Sequence, residues 1–202
     1  MKSILKENLF TGAVLATAAL LAVVSVKSSA VEPVAVKAKA GAEKVARGKY
    51  LVTVAGCNDC HTPWTLGPNG PAPDMTRMLS GHPEGLTMPP APTPASPWQM
   101  TAAATNTAWA GPWGVSFTAN LTPDPETGLG KWTLRNFVDT IRTGRHMGRG
   151  RAILPPMPIP MHQHFTDADL EAIFSYLQSI PAVSNRVPEP LAPVTMSLAP
   201  QQ

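Results

Sequence analysis

The stretch GCNDCHTPW, Gly56 to Trp64, decides how the rest of the chain is read. It holds both cysteines of the 202-residue sequence, Cys57 and Cys60, with His61 directly after them. A disulfide between cysteines two residues apart would close a loop too small to add much stability. A tetrahedral zinc site needs two further ligands, and there is no second cysteine pair to supply them. A thioredoxin-type dithiol sits in a βαβ setting, which the flanking sequence does not show. Cys-x-x-Cys-His is the attachment signature of a c-type haem. Its spacing has a physical basis. On a helical turn positions i and i+3 face one way, so Cys57 and Cys60 can add to two vinyl groups of one porphyrin. His61 then lies on the same side to serve as the proximal iron ligand. One such motif implies one covalent haem c.

The N-terminus is consistent with haem attachment outside the cytoplasm. Lys2 and Lys6 precede an apolar stretch from Leu9 to Val26, and the small residues of SSAV, Ser28 to Val31, follow. This is the pattern of a secretory signal peptide over residues 1–30, cleaved after Ala30. The alternative is an uncleaved membrane anchor, for which the apolar stretch has the minimum length. Both readings place residues 31–202 in the periplasm or another exported compartment, either free or associated with the membrane. Loss of residues 1–30 would remove three lysines and one glutamate, so the formal net charge of +3 would fall to +1. Nucleic-acid binding gains no support from so small a charge.

Downstream of the leader at 31–41, hydrophobic periodicity predicts three helices around the motif. The first, Glu43–Ala55, sets Val45, Gly48, Leu51, Val52 and Ala55 along one face. The second, Thr133–Thr143, has Thr133 as N-cap and Gly144 at its end. The third follows Thr166, with Asp169 completing a capping-box pattern, Phe165 and Leu170 placed as a hydrophobic staple, and Pro181 beyond its end. Between the first two lies a Pro/Gly/Trp-rich insert, residues 63–119, with no convincing strand alternation. It contains GPNGPAP, TMPPAPTPASP and AGPWG, and Trp64, Trp98, Trp109 and Trp113. A long irregular segment of this kind is uncommon unless it is functional or packs on something large, and a haem offers such a surface. Residues 183–202 read as a Pro-rich strap or tail.

With these blocks the chain resembles the exported, single-haem, class I-type cytochromes c that serve as carriers or haem subunits beside bacterial dehydrogenases. The resemblance covers about residues 42–190. It rests on RGKYLVTVAGCNDCHTPW, LSGHPEG, ANLTPDPETGLGKW, IRTGRH, and LPPMP followed by TDADLEAIFSYLQSIP. It implies an all-α fold of a few helices around the haem, with a domain over 42–182 that includes the insert. It also implies close helix contact at Gly48 and a second axial ligand just before the last helix. In ILPPMPIPMHQHF, Ile153 to Phe165, Met157 is the first choice and Met161 the second, with His162 and His164 behind them. Prolines on both sides fix an extended path for Met157 and leave few backbone donors to bury.

The expected role is one-electron transfer, with no catalytic residues of its own. A dehydrogenase subunit or another cytochrome would be the donor, and an oxidase or carrier the acceptor. The competing reading is a peroxidase-like haem enzyme with a displaceable distal ligand and His146 as acid–base group. Arg142, Arg145, Arg149 and Arg151 are open to two uses: holding a haem propionate, or docking an acidic partner.

Overall fold

The computed structural model describes residues 34–91 and 97–193, with the backbone alone at 34–38. The segment expected as signal or anchor, 1–30, and the end of the tail, 194–202, lie outside the described residues. Among the described residues, no helix is long and apolar enough to cross a membrane.

Helix α1 runs over Val34–Val54 and starts well before the expected Glu43. VAVKAKAGA lacks an apolar stripe but is rich in Ala and Lys, which are strong helix formers. Helix α2, Cys57–His61, is a single short turn that begins after Gly56, whose φ of 67° reverses the chain out of α1. Helix α3 is Leu134–Thr143, capped as expected by Thr133 in a full capping box with Asn136 and ended by left-handed Gly144. Helix α4 is a short turn at Ile159–His162, and α5 spans Asp167–Leu177.

Helices α1 and α5 cross at Gly48. A Cβ there would lie 2.0 Å from the carbonyl oxygen of Ala172 and 2.8 Å from Cβ of Tyr176, so only glycine admits this approach. The crossing is flanked by ion pairs, Lys44 with Glu171 and Arg47 with Asp169. The expected capping box of α5 is half present. Thr166 accepts from the Asp169 N–H at 3.1 Å, while the Asp169 carboxylate binds Arg47 and the Thr166 hydroxyl. Leu51, Val52, Phe137, Ile141, Leu170, Ile173 and Leu177 fill the core between α1, α3 and α5.

The expectation of an all-α fold is overturned, because the insert carries two small antiparallel sheets. Strands β1, Trp64–Gly67, and β2, Gly70–Pro73, form a hairpin around GPNG. Strands β3, Thr101–Ala102, β4, Ala108–Gly111, and β5, Gly114–Phe117, form a meander. The fold is therefore mixed α and β. Strands of two to four residues are too short to print an alternation of period two on the sequence. Prolines 71 and 73 in β2 disguise it further, although an edge strand tolerates them. Beyond α5, residues 182–193 form a strap, with Leu191 bridging to Val115 of β5. Asn185 fastens the strap: its Nδ2 donates to the carbonyls of Ser80 and His82 at 2.7 and 2.8 Å, and its Oδ1 accepts from the Glu84 N–H at 3.0 Å.

Candidate haem site

Helix α2 presents the motif as its spacing requires. Cys57 and Cys60 are free thiols one helical turn apart, with His61 at the end of the same turn. Cys57 packs against the hydrophobic core. Burial pushes its thiol pKa up to about 11 and raises that of Cys60 too. Reactive cysteines need surroundings that stabilise the thiolate. These surroundings do the opposite, which disfavours a nucleophilic or dithiol-redox pair.

His61 is buried, and its Nδ1 donates to the carbonyl of Ala119 at 2.8 Å. That bond fixes the tautomer and leaves Nε2 free to ligate, the arrangement usual for metal-bound imidazoles. Burial lowers the pKa of His61, and the nearby His162 lowers it further, so the ring is neutral and ready to bind a metal. Free thiols on one turn beside a buried imidazole with one committed nitrogen suit a haem c.

The segment from Ile153 to Phe165, where a second ligand is expected, packs several of its side chains on the same core as α2. Met157 is half-buried and packs on the same core cluster as Cys57, whereas Met161 is 72% exposed. His162 is half-buried beside the Phe165 ring. His164 is exposed. The proline path holds through Pro158, where the chain turns into α4 with Pro160 in its first turn.

Two features missed at the sequence level hold this segment in place. Ser116 of β5 donates its hydroxyl to the carbonyl of Pro155 at 2.5 Å, and three residues on Ala119 receives the His61 bond. One short stretch of chain thus links His61 to the Met157 loop. Arg142 is the second feature. Its guanidinium donates to the carbonyls of Gln163 and Phe165 and to the Asp167 carboxylate, while Gln163 Nε2 returns a bond to the Arg142 carbonyl. Arg142 is therefore a clamp on the chain behind Met157. Arg145 donates to Gly150 O, and Arg151 pairs with Glu189. His146 is exposed and edge-on to Trp132, in a tight loop following α3.

This geometry suits a c-type haem, and the known proteins that the chain resembles point the same way. No family model matches the chain. It is 32% identical to the cytochrome c subunit of alcohol dehydrogenase (quinone) from Gluconobacter oxydans (strain 621H) over 88 residues, 42% of this chain and 18% of that subunit. It is 26% identical to the fructose dehydrogenase cytochrome subunit of Gluconobacter japonicus over 163 residues, 81% of this chain and 26% of the relative. It is 25% identical to the gluconate 2-dehydrogenase cytochrome c subunit of Pantoea cypripedii over 132 residues, 65% of this chain and 22% of the relative. The chain thus spans about a quarter or less of the curated relatives it matches. Its similarity is to the cytochrome c subunits of bacterial dehydrogenases.

Proposed function

We propose that this chain is an exported one-electron carrier, holding a single haem c and acting as a cytochrome module beside a dehydrogenase. The observation that carries the reading is the α2 turn, with two free thiols at i and i+3 and a His61 whose Nδ1 is already committed to Ala119. When bound, the haem supplies an Fe(III)/Fe(II) couple. Cys57 and Cys60 fix it covalently, and His61 Nε2 is the proximal ligand. Met157 is the distal ligand and Met161 the second choice. Its half-buried position on the core supports Met157, as does the exposure of Met161. A soft thioether on the distal side favours Fe(II) and raises the potential. Filling both axial positions leaves the chain with electron transfer and no bond chemistry of its own.

The cytochrome subunits it resembles support a dehydrogenase as donor; a further carrier or an oxidase as acceptor is part of the proposal alone. Membrane association, through residues 1–30 or through a larger complex, belongs to the same proposal, as does the periplasm as its compartment. The test compares spectra and potentials of the holo-protein with those of Met157→Ala and Met161→Ala. Met157→Ala should abolish the thioether-to-iron absorption band and lower the potential, and Met161→Ala should leave both in place. An unchanged spectrum in Met157→Ala sinks the ligand assignment. Tight cyanide or CO binding to the unmodified protein at neutral pH would favour the peroxidase-like alternative instead.

A further inference from the structure

The stretch that carries Met157 has few hydrogen bonds of its own. Three of the five residues in LPPMP, Leu154 to Pro158, are prolines, so only Leu154 and Met157 keep a main-chain N–H. Neither N–H donates to a described residue. The carbonyls of Met157 and Pro158 are taken up locally, the first by the N–H of Ile159 and the second by those of Met161 and His162. Among the described residues, a single group from beyond 153–165 bonds to this stretch. It is the hydroxyl of Ser116, which donates to the Pro155 carbonyl at 2.5 Å.

Ser116 is well placed to act as a fixed post. It is buried, and it lies on β5. That strand pairs with β4 on one edge, and on the other Val115 exchanges two 2.9 Å backbone bonds with Leu191 of the strap. A hydroxyl has one proton to give. The carbonyl of Trp109 is 3.4 Å away, so the nearer Pro155 carbonyl receives it. Pro155 and Met157 are separated by Pro156 alone, and a proline fixes its own φ. Movement of the backbone at Met157 therefore carries Pro155 with it and strains the Ser116 bond. Arg142 clamps the chain after Met157, and Ser116 holds the chain before it.

Resting on the haem reading above, with Met157 as the distal ligand, we infer that Ser116 is the positioning residue that sets how readily Met157 gives way to an outside ligand. Ser116 acts through Pro155 and is not itself a ligand. Displacing the thioether requires the loop to shift, and the loop cannot shift without breaking its one outside bond. Loss of the hydroxyl removes that resistance.

The test is imidazole binding to the ferric holo-protein, followed by loss of the thioether-to-iron band. Two pairs of proteins isolate the hydroxyl. The first is the parent against Ser116→Ala. The second is Ser116→Thr against Ser116→Val, whose side chains match in shape and suit a strand. Ser116→Ala should bind imidazole roughly three- to tenfold more tightly than the parent, the range expected for one hydrogen bond. Ser116→Val should exceed Ser116→Thr by a similar factor. Without imidazole, covalent haem and the thioether band should survive in all four proteins. Equal affinities within either pair would overturn the inference. So would a lower urea midpoint with unchanged affinity, which is the mark of a merely structural role. If one variant fails to accumulate, the other pair carries the test. A thioether band that survives Met157→Ala would instead defeat the ligand assignment. Absence of covalent haem from the unmodified protein would defeat the proposed function itself, so these failures are distinguishable.

Discussion

The helical frame and the insert are held together by different forces. In the frame, the side chains buried between α1, α3 and α5 are almost all apolar, with Thr140 the exception. From residue 61 to residue 122 most buried side chains are polar: His61, Thr62, Ser80, His82, Thr107, Ser116, Asn120 and Thr122, beside Leu79, Ala108 and Ala110, and joined by Asn185 of the strap. Each element of the frame buries a stripe against another helix, and burial is non-directional. The insert has too few apolar positions for that, so it folds on specific hydrogen bonds, which are directional and costly to leave half-made. The Cys57–His61 turn draws on both. Cys57 packs against the frame, and His61 is oriented by the insert through Ala119.

The sharpest way to break the frame is at its closest approach. Gly48→Val places a branched side chain where even a Cβ would sit 2.0 Å from a backbone oxygen. Neither a rotamer change nor a small side-chain shift relieves a clash with backbone, so α1 must lift from α5. The expected cost is more than about 3 kcal/mol, beyond the usual range for overpacking, read from urea unfolding of the holo-protein. A wild-type midpoint would mean that the helices do not cross there.

The corresponding break in the insert is Asn185→Leu. The two side chains have similar volume, and leucine is the more hydrophobic. If burial held the insert, this change would be neutral or stabilising. With four hydrogen bonds lost, including the pair to Ser80 O and His82 O, the expectation is about 3 kcal/mol of destabilisation. A stabilised variant in the same urea experiment would erase the contrast between the two regions.

The same contrast explains what the sequence made legible. Apolar stripes and caps are local, so α3 with Thr133 and Gly144 and α5 with Thr166 can be read without coordinates, whereas the tight helix contact at Gly48 is implied only by the family resemblance. The Cys57-x-x-Cys60-His61 turn can be read for the same reason. The strands could not, since their pairing is fixed by register between residues that carry no periodic signal; GPNG and AGPWG stand out as Pro/Gly-rich but not as the turns of hairpins. The long-range partners of Asn185, Ser116 and Arg142 are between 21 and 108 residues away, and nothing local marks which polar residue will be buried. Arg142 shows the limit well. Charge and position made it a candidate for a propionate or a partner, and only its neighbours show it to be a clamp.

That clamp gives the next prediction, at the junction of the two regions. Arg142→Lys keeps the charge but loses the fork that spans Gln163 O, Phe165 O and Asp167. The global loss should be modest, about 1 kcal/mol, because the group is partly exposed. The local effect should be clearer. On warming, the thioether-to-iron band should disappear at a lower temperature than in the unmodified protein, well before the helices unfold by circular dichroism. Simultaneous loss of both signals, as in the parent, would mean that the 163–167 chain does not hold Met157 in place.

The smallest expected effect lies on the frame's surface and separates its charge contribution from its packing. The Asp169 carboxyl titrates below the ordinary carboxylate range, first because of its bonds to Arg47 and then because of Thr166. A carboxyl whose pKa is lowered by folding contributes stability at pH values above its unfolded value, near 4, and loses that contribution as pH falls through the folded value. Arg47→Met should therefore cost about 0.5 kcal/mol at pH 7, in keeping with an exposed pair. The gap between parent and variant should narrow as the pH falls below about 4, since the protonated carboxyl no longer attracts the guanidinium. Urea midpoints of both proteins between pH 7 and pH 2 provide the measurement. A gap that stays constant with pH would show that Arg47 acts through its guanidinium over the Tyr50 ring rather than through its ion pair with Asp169.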